Sequence, residues 1–165
     1  MKVLFLDIDG VLNNYDTLRK SFEERRSSSE KSALKDWTSM LDTDMVKRLN
    51  VIVEKTECLV VLSSSWRLGN SRSMVELFLR ARGFEGSLLS QTPSGDKVLN
   101  RKCRGDEIQA WLSTQRYGEV SSFCILDDIP NMGHLSDRLV LTDPKVGLTD
   151  DNVSSVISIL SSPLS

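Results

Sequence analysis

Four short, uninterrupted apolar runs organise this sequence, at residues 3–6, 58–62, 123–126 and 139–141. They are too short for independent helices and show no polar alternation, so they read as strands covered on both faces. A weaker candidate lies at 87–89. Helical spacing fills the gaps. Met45, Leu49, Ile52 and Val53 follow a cap at Asp42 or Thr43, and Ile108, Trp111, Leu112 and Gln115 mark another helix. Met74, Leu77, Phe78 and Ala81 form a third set, with Ser73 and Glu76 as a capping box and Gly83 as the stop. Val153, Val156, Ile157 and Leu160 follow a cap at Thr149 or Asp150. Strand and helix alternating in this way predict an α/β fold, a Rossmann-like doubly wound and mostly parallel sheet. At 165 residues, the expectation is a single domain, 1–165.

One stretch breaks the alternation. Residues 13–40 are polar, carry the charged and serine-rich run 23–32, and show no long periodic pattern. They are expected to form a minimal flap or insertion, partly mobile and loop-like. Trp37 and Trp111 read as flap or core anchors.

Composition removes whole classes of function. Lys and Arg number 21 against 23 Asp and Glu, a net charge of −2, which gives no global attraction to nucleic acid or anionic membranes. The three cysteines, Cys58, Cys103 and Cys124, form no CxxC pair, which argues against a structural zinc or a disulfide framework. The single histidine, His134, reads as a surface or loop residue; with one histidine and no Cys-His neighbourhood, zinc-hydrolase motifs and nucleophile-histidine triads are nearly excluded. No run approaches the roughly 20 apolar residues that span a bilayer. The first residues read as a strand and not as a signal peptide, so the expected setting is cytoplasmic, with no membrane and no obligate protein partner.

In an open parallel sheet, ligands bind beyond the carboxyl ends of the strands. Asp7, Asp9 and Gly10 follow the first run, Ser63, Ser64, Ser65, Trp66 and Arg67 the second, and Asp127 and Asp128 end the third. Four carboxylates delivered to one edge repel one another unless a cation offsets them. All-oxygen ligands without His or Cys point to a hard cation, Mg²⁺. Hydroxyls at a strand end suit a phosphate. Together they suggest phosphoryl transfer, with a balancing cation drawn from Lys97, Arg101, Lys102 or Arg104. Arg67 reads equally as a ligand for a second phosphate or nucleic-acid backbone and as a surface ion pair, and Trp66 as packing.

These residues resemble the four motifs of the haloacid dehalogenase (HAD) superfamily of phosphohydrolases. Residues 3–13 resemble its first motif, an apolar strand followed by DxDG, and 60–63 its second, a strand ending in Ser. Arg104, or Lys102, stands in place of the third-motif cation, which is usually Lys, and 123–128 resemble the acidic-pair form of the fourth. The motifs occur in family order over nearly the whole chain. LSSSWR at 62–67, RGDEIQAWL at 104–112, ILDD at 125–128 and VGLTDDNV at 146–153 resemble more closely the small HAD domain of Swiss-army-knife RNA repair proteins.

The resemblance implies an Mg²⁺-dependent phosphatase. Asp7 is then the nucleophile that becomes an aspartyl phosphate and also binds metal. Asp9 is the acid and base, with its carbonyl on the metal, and Gly10 frees the turn between them. Ser63 and Ser64 bind phosphoryl oxygens, Arg104 or Lys102 offsets their charge, and Asp127 and Asp128 complete the metal set. Asp9 is about 30 residues from the helix near Asp42, too few for a sizeable cap domain. An open site admits a phosphorylated nucleic-acid end, and nucleotides or small phosphate esters are the alternative. A phosphoacceptor signalling domain also uses clustered carboxylates, but its acidic pair comes first in the chain and its acceptor later, the reverse of this order. A scaffold kept for binding or regulation would be expected to lack one of these positions, and none is missing.

Overall fold

The structure is a computed structural model that describes residues 1–29, 32–98, 101–114 and 116–162. Five strands form one sheet: β1 (Lys2–Leu6), β2 (Leu59–Leu62), β3 (Leu88–Gln91), β4 (Ser122–Asp127) and β5 (Leu139–Leu141). Their order is β3-β2-β1-β4-β5 and every pairing is parallel. β1 is central, so the chain winds outward to one side through β2 and β3, then returns to the other through β4 and β5. The expected α/β, Rossmann-like sheet is present, and the weak candidate at 87–89 is real but displaced to Leu88–Gln91.

Both faces of the sheet are covered, which is why the strands are continuous apolar runs. Leu4 and Leu6 of β1 face one core with Leu49, Ile52, Phe78, Val156 and Leu160. Val3 and Phe5 face the other with Ile108, Trp111 and Leu135. The first core is roofed by α3 (Thr43–Thr56), α4 (Arg72–Ala81) and α6 (Asp150–Ser161), and the second by α5 (Arg104–Ser113). Cys58 and Cys124 are buried packing residues. Asp42 caps α3 through the backbone N–H groups of Asp44 and Met45, and Thr149 caps α6.

Three local readings need correction. The cap of α4 is Ser71 rather than Ser73, because the Ser71 hydroxyl accepts from the Met74 N–H. Glu76 instead accepts from Arg80 and from the backbone of β3. Its buried face is Val75, Phe78 and Leu79, while Met74 and Leu77 are exposed. The 13–40 stretch is helical, with α1 (Tyr15–Ser27) and α2 (Ala33–Ser39). Its helices escaped notice because α1 buries only Ser21 and α2 buries none of its residues completely. Caps at Asn14 and Ser32 define them, and the Arg19–Glu23 and Arg19–Asp16 pairs run along α1, so neither helix needs an apolar stripe.

Candidate active site

The sheet ladder continues one residue beyond the central strands. The Asp7 N–H donates to Leu126 O (3.0 Å), and the Ser63 N–H to Leu6 O (2.8 Å). Asp7, Ser63 and Asp127 are thereby set at the carboxyl edge on three adjacent strands, and all three are buried. Past Asp7 the chain turns sharply. Leu12 N–H donates to Ile8 O at 2.8 Å, and Gly10 sits at φ +72°, a left-handed conformation that suits glycine. A Cβ at Gly10 would lie 2.5 Å from Asp128 Oδ2, so glycine also allows that carboxylate to approach the turn.

One oxygen from each of Asp7, Asp127 and Asp128 lies within 4.8 Å of the others. Arg104 Nη1 bridges two of these carboxylates, 2.7 Å from Asp7 Oδ2 and 2.7 Å from Asp127 Oδ2. Burial opposes the guanidinium charge, but the flanking Asp7 and Asp127 carboxylates outweigh it and raise its pKa. One cation still faces three acids. Burial first, and the Asp7 charge next, push the Asp127 pKa up to about 7 against the pull of Arg104. The same two causes raise that of Asp128. The cluster is short of positive charge.

Two side-chain oxygens in the site are buried without a hydrogen-bond partner among the described residues: Asp7 Oδ1 and Ser63 Oγ. Buried polar atoms are normally satisfied, so each calls for a ligand. Three carboxylate oxygen donors and a charge deficit fit a hard divalent cation.

Asp9 is held from two sides. Asn13 Nδ2 donates to its Oδ1 and Trp66 Nε1 to its Oδ2, both at 3.0 Å. Asn13 also accepts the Gly10 N–H at 2.9 Å, tying the turn to the same carboxylate. Trp66 packs edge-on against Trp37 of α2, at 4.8 Å between centroids, and Trp37 stacks on Phe78. The insertion is thus anchored on the ring that holds Asp9.

The cation position is set by α5. Asp106 accepts from the backbone N–H groups of Lys102 and Cys103 and closes the first turn. Gly105 lies so close to the loop after β4 that a Cβ there would meet Met132 O at 2.0 Å. This contact delivers Arg104 to the acids, whereas Lys102 is exposed and its side chain has no partner among the described residues.

Other expected residues have different surroundings. Ser64 caps a 3₁₀ turn, Ser65–Leu68, with its hydroxyl accepting from Trp66 N–H at 3.4 Å. Arg67 is not on the surface. It pairs with Glu107 at 2.6 Å, with the two side chains 5% and 3% exposed, and burial lowers its pKa although Glu107 opposes the shift. His134 is exposed and pairs with Gln109. Asn13, Trp66 and Glu107 escaped the sequence reading as partners of site residues. Glu107 left a faint signal, an acid four residues before Trp111 on the apolar side of α5.

No described helix is long and apolar enough to cross a membrane. No curated protein and no solved structure gives a significant match to the chain. HAD domains are generally phosphohydrolases and generally use Mg²⁺. The model of the HAD domain in Swiss Army Knife RNA repair proteins matches residues 3–153, and with its motifs now seen converging on one sheet edge, the chain belongs to that family.

Proposed function

We propose that this protein is an Mg²⁺-dependent phosphomonoester hydrolase that works through an aspartyl phosphate on Asp7. The observation that carries the reading is the pairing of two orphaned oxygens, Asp7 Oδ1 and Ser63 Oγ, beside a carboxylate cluster bridged by Arg104. Asp7, Asp127 and Asp128 are the residues that would hold Mg²⁺, which when bound offsets phosphate charge and lets an anion approach Asp7.

Arg104 fixes Asp7 through Oδ2 and leaves Oδ1 for attack on phosphorus. A carboxylate is ionised at neutral pH and needs no base to activate it. As the Oδ1–P bond forms, the ester P–O bond breaks, and Asp9 gives its proton to the departing oxygen. Asp9 then takes a proton from water, whose oxygen attacks phosphorus and breaks the Asp7–P bond. Phosphate leaves and Asp7 is regenerated. Trp66 and Asn13 hold Asp9 in register for both transfers. The Ser63 hydroxyl donates to a phosphoryl oxygen, and Arg104 balances the charge spread over the others.

The substrate in this reading is a phosphorylated nucleic-acid end. The family's association with RNA repair proteins supports it, as does a basic groove leading away from Arg104. Nucleotides and small phosphate esters are the competing class. Phosphate release from an aryl phosphate, nucleotides and 3′- and 5′-phosphorylated oligonucleotides tests this, with Mg²⁺ or chelator, in wild type and Asp7→Asn. Metal-dependent release that disappears in the variant is expected. Release that survives chelation or the substitution contradicts the reading.

A further inference from the structure

The groove beside Arg104 is built in a way that removal of a single phosphate does not require. It holds about 470 Å³ and is lined by Ser65, Arg67, Gly95, Arg101, Arg104 and Glu107. Arg67 and Leu68 also border a second cavity of about 460 Å³, which reaches Lys97, Arg116 and Tyr117. The buried Arg67–Glu107 pair lies on the floor of the first, and Arg67 borders both. An ion pair taken out of water is a poor source of stability, so its position in a substrate-sized groove calls for another explanation.

Glu107 serves two guanidiniums, Arg67 at 2.6 Å and Arg101 at 2.9 Å. It cannot neutralise both, so the groove keeps a positive excess. Arg67 is sealed in the floor, while Arg101 is 43% exposed and presents its charge to the cavity. Its placement is prepared. A Cβ at Gly95 would lie 2.5 Å from Arg101 Cδ and 2.7 Å from Nε, so the glycine lets the side chain lie along the loop toward Glu107. Arg101 and Arg104 are thus two fixed cations on one cavity wall, and only Arg104 is committed to the Asp7 cluster.

We infer that Arg101, above the Arg67–Glu107 floor, forms a subsite for a second phosphate carried by the same substrate. The inference rests on the phosphohydrolase reading and specifies what the substrate must carry. While Arg104 attends the phosphate that is removed, Arg101 holds one that stays. That group is the other phosphate of a nucleoside bisphosphate or the adjoining phosphodiester of a strand.

The test compares kcat/KM for nucleoside 3′- and 5′-monophosphates, the 3′,5′-bisphosphate, and a phosphorylated oligonucleotide. The oligonucleotide is used with either a normal or an uncharged methylphosphonate linkage next to its end, and an aryl phosphate serves as control. A charge-assisted contact predicts at least about a tenfold preference for substrates with the second charge. Arg101→Ala should erase that preference and leave aryl phosphate turnover within about twofold, since Arg101 touches no reacting group. A bisphosphate as good as the oligonucleotide identifies the second phosphate alone as the ligand. A better oligonucleotide that the methylphosphonate weakens identifies the strand. Aryl phosphate turnover with equal rates on mono- and bisphosphate, or a preference that survives Arg101→Ala, overturns the subsite. Calorimetric binding of the same nucleotides to Asp7→Asn reads the subsite without turnover: tighter bisphosphate binding supports it and equal affinities overturn it. Absence of aryl phosphate turnover counts against the hydrolase reading alone.

Discussion

Gly105→Ala sets two physical effects against each other. By helix propensity, alanine inside α5 should stabilise the protein by up to about 1 kcal/mol. By packing it should do the reverse, because the new Cβ would sit 2.0 Å from Met132 O. Ordinary C···O contact is about 3.3 Å, so helix and loop must part by about 1.3 Å. The obstacle is backbone, which cannot swing aside as a long side chain does. Overpacking of this kind costs about 1–3 kcal/mol, so the net expectation is a loss of about 1–2 kcal/mol. For a chain of this size that lowers Tm by roughly 2–8 °C. The functional consequence is sharper. Arg104 Nη1 is 2.7 Å from both Asp7 and Asp127, and a shift of about 1.3 Å puts it beyond hydrogen-bond range. Loss of one such charge-balancing donor corresponds to a rate loss of about 100-fold. Urea denaturation followed by circular dichroism and steady-state phosphate release measure the two effects. A variant as stable as wild type, or more so, with unchanged turnover would refute the claim that this contact positions Arg104.

Other expectations follow from the same geometry. The Asp127 pKa rises from 3.8 to about 7 on folding, so between those values the folded state binds more protons than the unfolded one. Its contribution is therefore fully present below about pH 4 and is lost as pH rises through about 7. In chelator, Asp127→Asn should gain stability relative to wild type as pH rises from about 4 to about 7, and a flat difference in Tm over that range would contradict the raised pKa. Trp66→Phe keeps the ring packing but removes the donor to Asp9. It should slow alkyl phosphate hydrolysis about tenfold and spare an aryl phosphate with a good leaving group, whereas equal losses on both would detach Trp66 from proton transfer. Arg104→Ala should cost about 100-fold in kcat/KM and Lys102→Ala no more than about twofold, and the reverse order would transfer the cation's role to Lys102.

The fold was legible where burial is two-sided. Runs such as 3–6 and 123–126 admit few readings, and the strand-end rule then brings Asp7, Ser63 and Asp127 to one edge. What escaped detection had no periodic signature. Helices α1 and α2 are held by caps and ion pairs, so their apolar pattern is nearly silent. The buried Arg67–Glu107 pair joins residues 40 apart and the Trp66–Asp9 bond residues 57 apart, separations that local spacing cannot connect. Sequence could nominate Arg67 as a phosphate ligand. The packing of α5 adds that its guanidinium is buried against Glu107, and that Arg101 carries the exposed charge.

The central claim is that Asp7 carries the phosphoryl group, and its most direct test is to catch that group in place. Asp9→Asn should impair hydrolysis of the intermediate while an aryl phosphate, whose leaving group needs little protonation, still forms it. The variant is mixed with aryl phosphate and Mg²⁺, quenched in acid, digested, and its peptides weighed. One phosphoryl group on the peptide containing Asp7, absent when Asp7 is also changed to Asn, is the predicted result. Phosphate release with no phosphoryl group retained on the protein, or with the group on another residue, contradicts it.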